Sequence, residues 1–297
     1  MSVWSESQTG AEMTEERSAR AVVITGASSG IGKACALRLG EAGVRVFAGV
    51  RSEEDGTSLR REASDRLTPI LLDVTVPESI EAARKTVAAA VDGGGLAGLV
   101  NNAGIYCGGP LEFTPLEEIR EEFDVNFFGA IAVTQAFVPL LRSGSGRIVN
   151  ISSVSGVFAL PFLGPYAASK FALEAISDSW RVELRPWGIR VAVVEPGVVE
   201  TPFLEKSLAI LREKREKLPK EAHELYGPIF GLSERLKHKH HAIPAERVAK
   251  AVEHALFSRR PKLRYLVGAE AKSVPVFRAM PARFRDWVIA KHLPKYG

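Results

Sequence analysis

Cysteine and methionine are scarce in this chain of 297 residues, with 2 and 3 copies. Cys35 and Cys107 can form one disulfide at most, and neither lies in a Cys-x-x-Cys pair. A disulfide-stapled secreted scaffold and a cysteine metal site are therefore excluded, and a reducing compartment is expected. Long apolar runs are missing too. Nothing in the sequence approaches the ~18 consecutive apolar residues of a membrane-spanning helix. The segment through Arg20 is polar and mixed in charge, without the apolar stretch of a signal peptide. The reading is a cytoplasmic protein without a transmembrane segment, with residues 1–19 as a disordered extension.

What remains is ordinary globular material. Hydrophobic residues make up 46% and charged residues 25%. Disorder throughout, collagen and coiled coil are out, and the length fits one large domain with additions or two small ones, with ample chain for a sizeable core. The net charge of +4 is unevenly spread. Residues 1–201 hold 18 Lys and Arg against 25 Asp and Glu, or −7; residues 202–297 hold 21 against 10, or +11. A basic last third raises nucleic acid or a membrane surface as partners. Nucleic acid would call for aromatics interleaved on a basic face. Residues 205–247 offer only Tyr226 and Phe230, so no nucleic-acid partner is expected. His238-Lys239-His240-His241 has no Cys or carboxylate pair at ligand spacing beside it, and reads as a solvated basic turn rather than a metal site.

Short β-branched runs recur along the chain. Ala21–Thr25, Val44–Val50, Pro69–Leu72, Leu96–Val100, Arg147–Ile151, Ile189–Val194 and Leu263–Val267 are the strand candidates. Helix-forming stretches lie between them at Lys33–Glu41, Pro77–Val91, Leu116–Leu141 and Pro165–Arg185. Strands alternating with helices of this length mean βαβ units. Right-handed crossovers then place helices on both faces. The fold class is α/β: one Rossmann-like, doubly wound parallel sheet of about seven strands, spanning residues 20–297. Residues 202–244 break the alternation and read as a helical, substrate-covering segment. The tail, 270–297, mixes apolar and basic residues around Trp287. It is either a terminal helix packed on the body or an amphipathic contact for a membrane surface or an oligomer.

Thr25-Gly26-Ala27-Ser28-Ser29-Gly30-Ile31-Gly32 follows the first strand and opens the first helix. Glycines let the backbone approach a ligand, and the helix N-terminus offers N–H groups and a positive dipole end to phosphate. A dinucleotide site is expected here. In NAD-binding folds an acid about 20 residues further on holds the ribose hydroxyls. Here the second strand ends in Gly49-Val50-Arg51, and Glu53, Glu54 and Asp55 come later, in the expected loop. The missing acid removes repulsion against a 2′-phosphate and Arg51 can pair with it, which favours NADP(H) and leaves NAD(H) possible. The plainer alternative is a solvated loop arginine.

Tyr166 and Lys170 are four residues apart, on one face of an expected helix. A cation beside a phenol favours phenolate and draws the tyrosine pKa down from about 10. Such a tyrosine can exchange a proton with a substrate hydroxyl or carbonyl. Ser153 follows the strand Arg147–Ile151, which places it at the sheet edge where ligands bind in open α/β sheets.

With TGASSGIG at 25–32, Asp73-Val74, NNAG at 101–104, Asn126, Ser153, YAASK at 166–170 and Pro196-Gly197 followed by Thr201, the sequence resembles the short-chain dehydrogenase/reductase family in its single-domain subgroup. The resemblance implies that Tyr166 is the general acid/base. Lys170 lowers its pKa and binds the nicotinamide ribose, Ser153 holds the substrate oxygen, and Asn126 binds a water in a proton relay. It implies that Gly26, Ser28, Ser29, Gly30, Ile31 and Gly32 form the phosphate turn, and that Asp73 and Val74 meet the adenine. Asn101, Ala103 and Gly104 sit beside the cofactor, and Pro196, Gly197, Val199 and Thr201 line its nicotinamide side. The expected activity is hydride transfer between NAD(P) and a secondary alcohol or ketone, without metal. The competing class is a cofactor-binding regulatory or scaffold protein that keeps the fold without turnover. Intact Ser153, Tyr166 and Lys170 argue against it.

The Ser155–Gly164 loop is mostly apolar, so Leu160, Phe162, Phe203 and Leu204 are candidate pocket walls, with core packing as the alternative. Segment 160–197 looks most like family branches acting on steroids, retinoids and hydroxy acids. An apolar, steroid-like or lipid-like small molecule is therefore the favoured substrate. The long helices Leu116–Leu141 and Pro165–Arg185 resemble those that form the family's dimer and tetramer contacts, so a homodimer or homotetramer is expected.

Overall fold

A computed structural model describes residues 20–230 and 242–292. The extension 1–19 and the His238–His241 run lie outside the described residues.

Each β-branched run becomes a strand because it can be buried on both faces, as parallel sheets require. The strands are β1 (Ala21–Ile24), β2 (Arg45–Val50), β3 (Leu67–Leu71), β4 (Gly98–Asn101), β5 (Arg147–Ile151) and β6 (Arg190–Pro196), with β7 (Val199–Glu200), β8 (Ile243–Pro244) and β9 (Arg264–Val267) after them. Seven of them form one all-parallel sheet in the order β3-β2-β1-β4-β5-β6-β9; β7 and β8 pair separately. This is the expected doubly wound, Rossmann-like sheet. Because all its strands run the same way, their C-terminal ends share one edge, and the order reverses between β1 and β4.

The two-residue period of the strands divides the core. Val22, Ile24, Val46, Ala48 and Val100 face one helical layer, which holds Cys35 and Leu39 of α1 (Gly30–Glu41). Val23, Phe47, Leu99, Ile148 and Val191 face the other layer. There they meet Val87 of α3 (Pro77–Val91), Phe137 of α5 (Ala130–Ser143) and Trp180 of α6 (Gly164–Glu183). Each such aliphatic side chain, fully buried, contributes about 1.5–3 kcal/mol.

Three elements differ from the sequence reading. Glu53, Glu54 and Asp55 are not in a loop. They form the first turn of α2 (Glu53–Glu62), capped by Ser52, whose Oγ accepts the Asp55 N–H at 3.1 Å. Three acids at a helix N-terminus match its dipole. The expected single helix Leu116–Leu141 is broken by a π-helical turn, Asp124–Gly129, between α4 (Leu116–Phe123) and α5. Gly129 is at the break because Val74 packs there: a Cβ on Gly129 would lie 2.6 Å from Val74 Cγ2. Taken as one 28-residue stretch, Leu116–Ser143 is long and apolar enough to cross a membrane. In this fold, however, its Val133, Phe137 and Leu141 belong to the core. Finally, α9 (Ala245–Phe257) was not read from the sequence; it buries Val248, Val252 and Ala255 beside α1.

Residues 202–244 hold α7 (Pro202–Lys217) and α8 (Lys220–Phe230). The tail holds α10 (Val274–Ala279) and α11 (Ala282–His292).

Candidate active site

The phosphate turn is built at the tip of β1. Gly26 and Gly30 have φ of +63° and +56°, in the left-handed region open mainly to glycine. Gly32 is needed for a different reason: a Cβ there would fall 2.2 Å from the Gly26 carbonyl oxygen. Asn102 Nδ2 donates to the carbonyls of Thr25 and Gly26, both at 2.9 Å, while Thr25 Oγ1 accepts from the N–H groups of Asn102 and Ala103. The tips of β1 and β4 are thereby locked together. Ser29, the N-cap of α1, makes no side-chain cap hydrogen bond, which leaves the first helical N–H groups to a ligand.

From this turn a cleft of about 1870 Å³ runs along the C-terminal edge of the sheet. That exceeds the roughly 300–1,000 Å³ of a drug-sized site, and suits a dinucleotide with a second molecule beside it. Ser28, Ser29 and Ile31 line it, together with Gly26 and Gly30. Arg51, Asp73 and Val74 line the end nearest β2 and β3. Burial would raise the Asp73 carboxyl. Hydrogen bonds from Thr75 Oγ1 at 2.6 Å and Thr75 N at 2.9 Å, with the Arg51 charge, hold it below the usual carboxylate range. Both bonds fall on Asp73 Oδ1. Ala103, Gly104, Pro196, Gly197, Val199 and Thr201 line the middle. The glycine turn, the open helix N-terminus and the length of the cleft all fit a nicotinamide dinucleotide.

Tyr166 and Lys170 lie one turn apart on α6, and Ser153 follows β5. The Ser153 hydroxyl lies close enough to the Tyr166 phenol to draw its pKa down. Ser153 Oγ also accepts the Ser155 N–H at 3.1 Å, which fixes its direction. Lys170 Nζ donates to the Ile151 carbonyl at 2.9 Å and lies 5.8 Å from the centre of the Tyr166 ring. Burial pushes the Tyr166 phenol up to about 12; the Ser153 hydroxyl opposes that rise and the Glu122 charge adds to it. Burial also draws Lys170 down to about 8, against the pull of Glu122 and Glu174. In the unliganded site burial sets the direction of the Tyr166 shift.

Asn126 lies in the π-helical turn. Its Oδ1 accepts the Ile105 N–H at 2.8 Å, and its Nδ2 donates to Ile105 O at 3.0 Å and Ser169 Oγ at 3.1 Å. The amide thus clamps the loop after β4 to α6. A water relay at this residue would use its main chain, because the side chain is committed.

Asn101 departs from its expected place beside the cofactor. It is buried, and its Nδ2 donates to Thr134 Oγ1 at 2.9 Å and Asn150 Oδ1 at 2.8 Å. Strand parity is the reason: Asn101 points the same way as Leu99, into the α5 layer, and Asn102 takes the ligand side. Gly32 and Ser153 likewise lie behind the cleft surface, Gly32 as packing and Ser153 past the end of β5 with its Oγ taken by the Ser155 N–H.

Beyond Tyr166 the cleft becomes aromatic. Leu160, Phe162, Phe203 and Leu204 line it as expected, joined by Phe113, Phe158 and Phe230. Phe162 has φ +67°, an unusual conformation for a bulky residue; its ring meets Tyr226 and Phe230 at 6.0 and 6.1 Å. The roof is tied down by Tyr226, which donates to Glu112 Oε2 at 2.8 Å, and by the Lys214–Glu118 ion pair between α7 and α4. Four further residues near the site escaped the sequence reading: Asn102, Tyr106, Glu122 and Lys214. The Tyr106 ring is 5.6 Å from that of Tyr166, and burial raises its phenol. Strand parity was the usable signal for Asn102. Glu122 precedes Asn126 by one helical turn, and its burial had no signal in the sequence.

The short chain dehydrogenase family model matches residues 20–210. Human retinol dehydrogenase 5 is 39% identical over 284 residues, covering 92% of this chain and 89% of that protein. The 17-beta-hydroxysteroid dehydrogenase type 6 of Bos taurus is 38% identical over 283 residues, covering 92% and 89%. A short chain dehydrogenase from Burkholderia cenocepacia, solved in complex with NADP, has the same fold at TM-score 0.71 and 26% identity, over 93% of this chain and 98% of that one.

Proposed function

The chain belongs to the short-chain dehydrogenase family, and from that premise we propose that it interconverts apolar, steroid-like or lipid-like secondary alcohols and ketones, with NADP(H) preferred over NAD(H). It is an NAD(P)-dependent oxidoreductase acting on CH–OH groups. The observation that carries the finer reading is one junction. Tyr166, with the Ser153 hydroxyl acting on its phenol, stands where the phosphate cleft meets the aromatic chamber.

When bound, the nicotinamide supplies or accepts the hydride. The chain's own residues do the rest. Ser153 and Tyr166 hold the substrate oxygen between two hydroxyls, so charge developing on it meets donors already in place. Tyr166 gives the proton in reduction and takes it in oxidation. Lys170 places a positive charge beside that phenol. Phe113, Phe158, Phe162 and Phe203 offer apolar surface to a lipid-like body and exclude water from it. The relatives named for retinol and for a hydroxysteroid fit this substrate class.

Arg51 supports the preference for NADP(H). It is exposed just past β2, whose tip residues Gly49 and Val50 carry no acid. The reading extends to a cytoplasmic protein whose tail touches membrane surfaces. It also extends to a homodimer or homotetramer, supported by exposed Phe128, Phe171 and Val182 on the long helices. The test of the activity is a screen of carbonyl compounds with NADPH and NADH. Oxidation of NADPH by apolar ketones is the expected result, and no carbonyl-dependent oxidation by any compound would refute it.

A further inference from the structure

Behind the catalytic pair lie two buried ionisable groups with no ion-pair partner among the described residues. Lys170 is 5% exposed, and its ammonium donates to a neutral carbonyl, that of Ile151. Glu122 on α4 is 0% exposed. Its Oε1 accepts the Cys107 N–H at 3.0 Å and faces Asn126 Nδ2 at 3.5 Å, while Oε2 has no hydrogen-bond partner. A buried charge without compensation is costly, and a buried carboxylate retained in a core calls for an explanation.

Asn126 stands between the two. Its Nδ2 turns toward Glu122, and its Oδ1 flanks Gly104, where an added Cβ would lie 3.2 Å from Asn126 Oδ1 and 3.8 Å from Lys170 Nζ. The other charged and titratable groups around the pair are committed elsewhere. Glu118, on the same helix as Glu122, is paired with Lys214 of α7. Glu174, one turn beyond Lys170, is paired with Arg264. Tyr106 and Cys107, from the loop after β4, are pushed upward by burial and remain neutral.

We propose that Glu122 is the buried counter-charge of Lys170, a positioning residue that keeps the lysine an ammonium beside Tyr166. This rests on the reading of Tyr166 and Lys170 as the catalytic pair. Burial supports it: Glu122 is raised to about 7, against the Cys107 hydrogen bond and the charges of Lys170 and Lys214. The sign follows from these values. Well below pH 7 the carboxyl is neutral and gives Lys170 nothing. As pH rises through 7 it becomes charged, and holds the Lys170 proton until the lysine titrates near 8.

Two measurements test this, one without turnover. Thermal unfolding of cofactor-free wild type, Glu122→Gln, Lys170→Met and the double variant forms a double-mutant cycle. At about pH 7.5 the double variant should melt about 2–4 °C above the value expected from adding the two single losses, and at about pH 5.5 the losses should add. In carbonyl reduction, the rate ratio of wild type to Glu122→Gln should rise from about one near pH 5.5 to about tenfold above pH 8. Gln retains the acceptor for Cys107 N–H, so a merely structural role gives a constant ratio. If the Gln variant does not fold, the isosteric pair Glu122→Asp and Glu122→Asn repeats both comparisons. Additive losses at both pH values, or a constant rate ratio, would overturn the proposal. A coupled cycle in a protein that reduces no carbonyl would uphold the pair and sink the catalytic reading instead.

Discussion

Burial raises the Tyr166 phenol and lowers the Lys170 ammonium, so the unliganded site disfavours both charges. In reduction this is useful, because Tyr166 must hold a proton until the substrate oxygen needs it. Tyr166→Phe removes that proton and keeps the ring and its packing. Turnover should fall by about 10²–10⁴-fold, while NADPH affinity, measured by fluorescence titration, changes little. At the other end of the cleft, Arg51→Ala should raise the Michaelis constant for NADPH several-fold and leave that for NADH nearly unchanged. An NADH constant at or below that of NADPH in wild type, unmoved by Arg51→Ala, would remove the cofactor preference.

At the scale of elements, the phosphate turn depends on glycines for two different reasons. Gly26 and Gly30 need positive φ; Gly32 needs the absence of a Cβ against the Gly26 carbonyl. Gly32→Ala should therefore lower stability by about 1–3 kcal/mol, the usual cost of overpacking, and should weaken dinucleotide binding as the turn shifts. Unfolding in urea with and without NADPH separates the two effects. Most of these elements were legible. Each strand of the main sheet carries an apolar run, and the glycine turn, Ser153 and the Tyr166–Lys170 pair stand at fixed points relative to strands and helices. What escaped reading came from packing. The π-helical turn at Asp124–Gly129 ends on a glycine packed against Val74, a contact that no local pattern reports. Asn101 and Asn102 look equivalent in the sequence, and strand parity alone sends one to the core and the other to the ligand side. The burial of Glu122 arises from the meeting of α4, α6 and the loop after β4.

For the whole molecule, the uneven charge now has a place. The basic last third supplies α7 and α8 over the cleft, and then the tail. Phe277, Val288 and Ile289 of the tail line the cleft, and Phe284 and Trp287 stack at 5.7 Å on its exposed side. Arg283, Arg285 and Lys291 lie near them in the chain, Lys291 over the Trp287 ring at 5.2 Å. Aromatic and basic residues together suit an anionic lipid surface. Co-sedimentation with vesicles rich in anionic lipid should be measurable and salt-sensitive, and a Phe284→Ala, Trp287→Ala double variant should lose most of it while keeping activity on a water-soluble carbonyl. Equal binding by that variant would take the tail out of the account.

On the proposed function, Tyr166 and its neighbours would move a proton to the oxygen of an apolar ketone, with the hydride supplied by a bound nicotinamide. The most direct measurement is the loss of NADPH absorbance with a steroid-like or lipid-like ketone, in wild type and in Tyr166→Phe side by side. Ketone-dependent oxidation by wild type, reduced about 10²–10⁴-fold in the variant at unchanged NADPH affinity, is the expected result. Oxidation at the same rate in both proteins would contradict it.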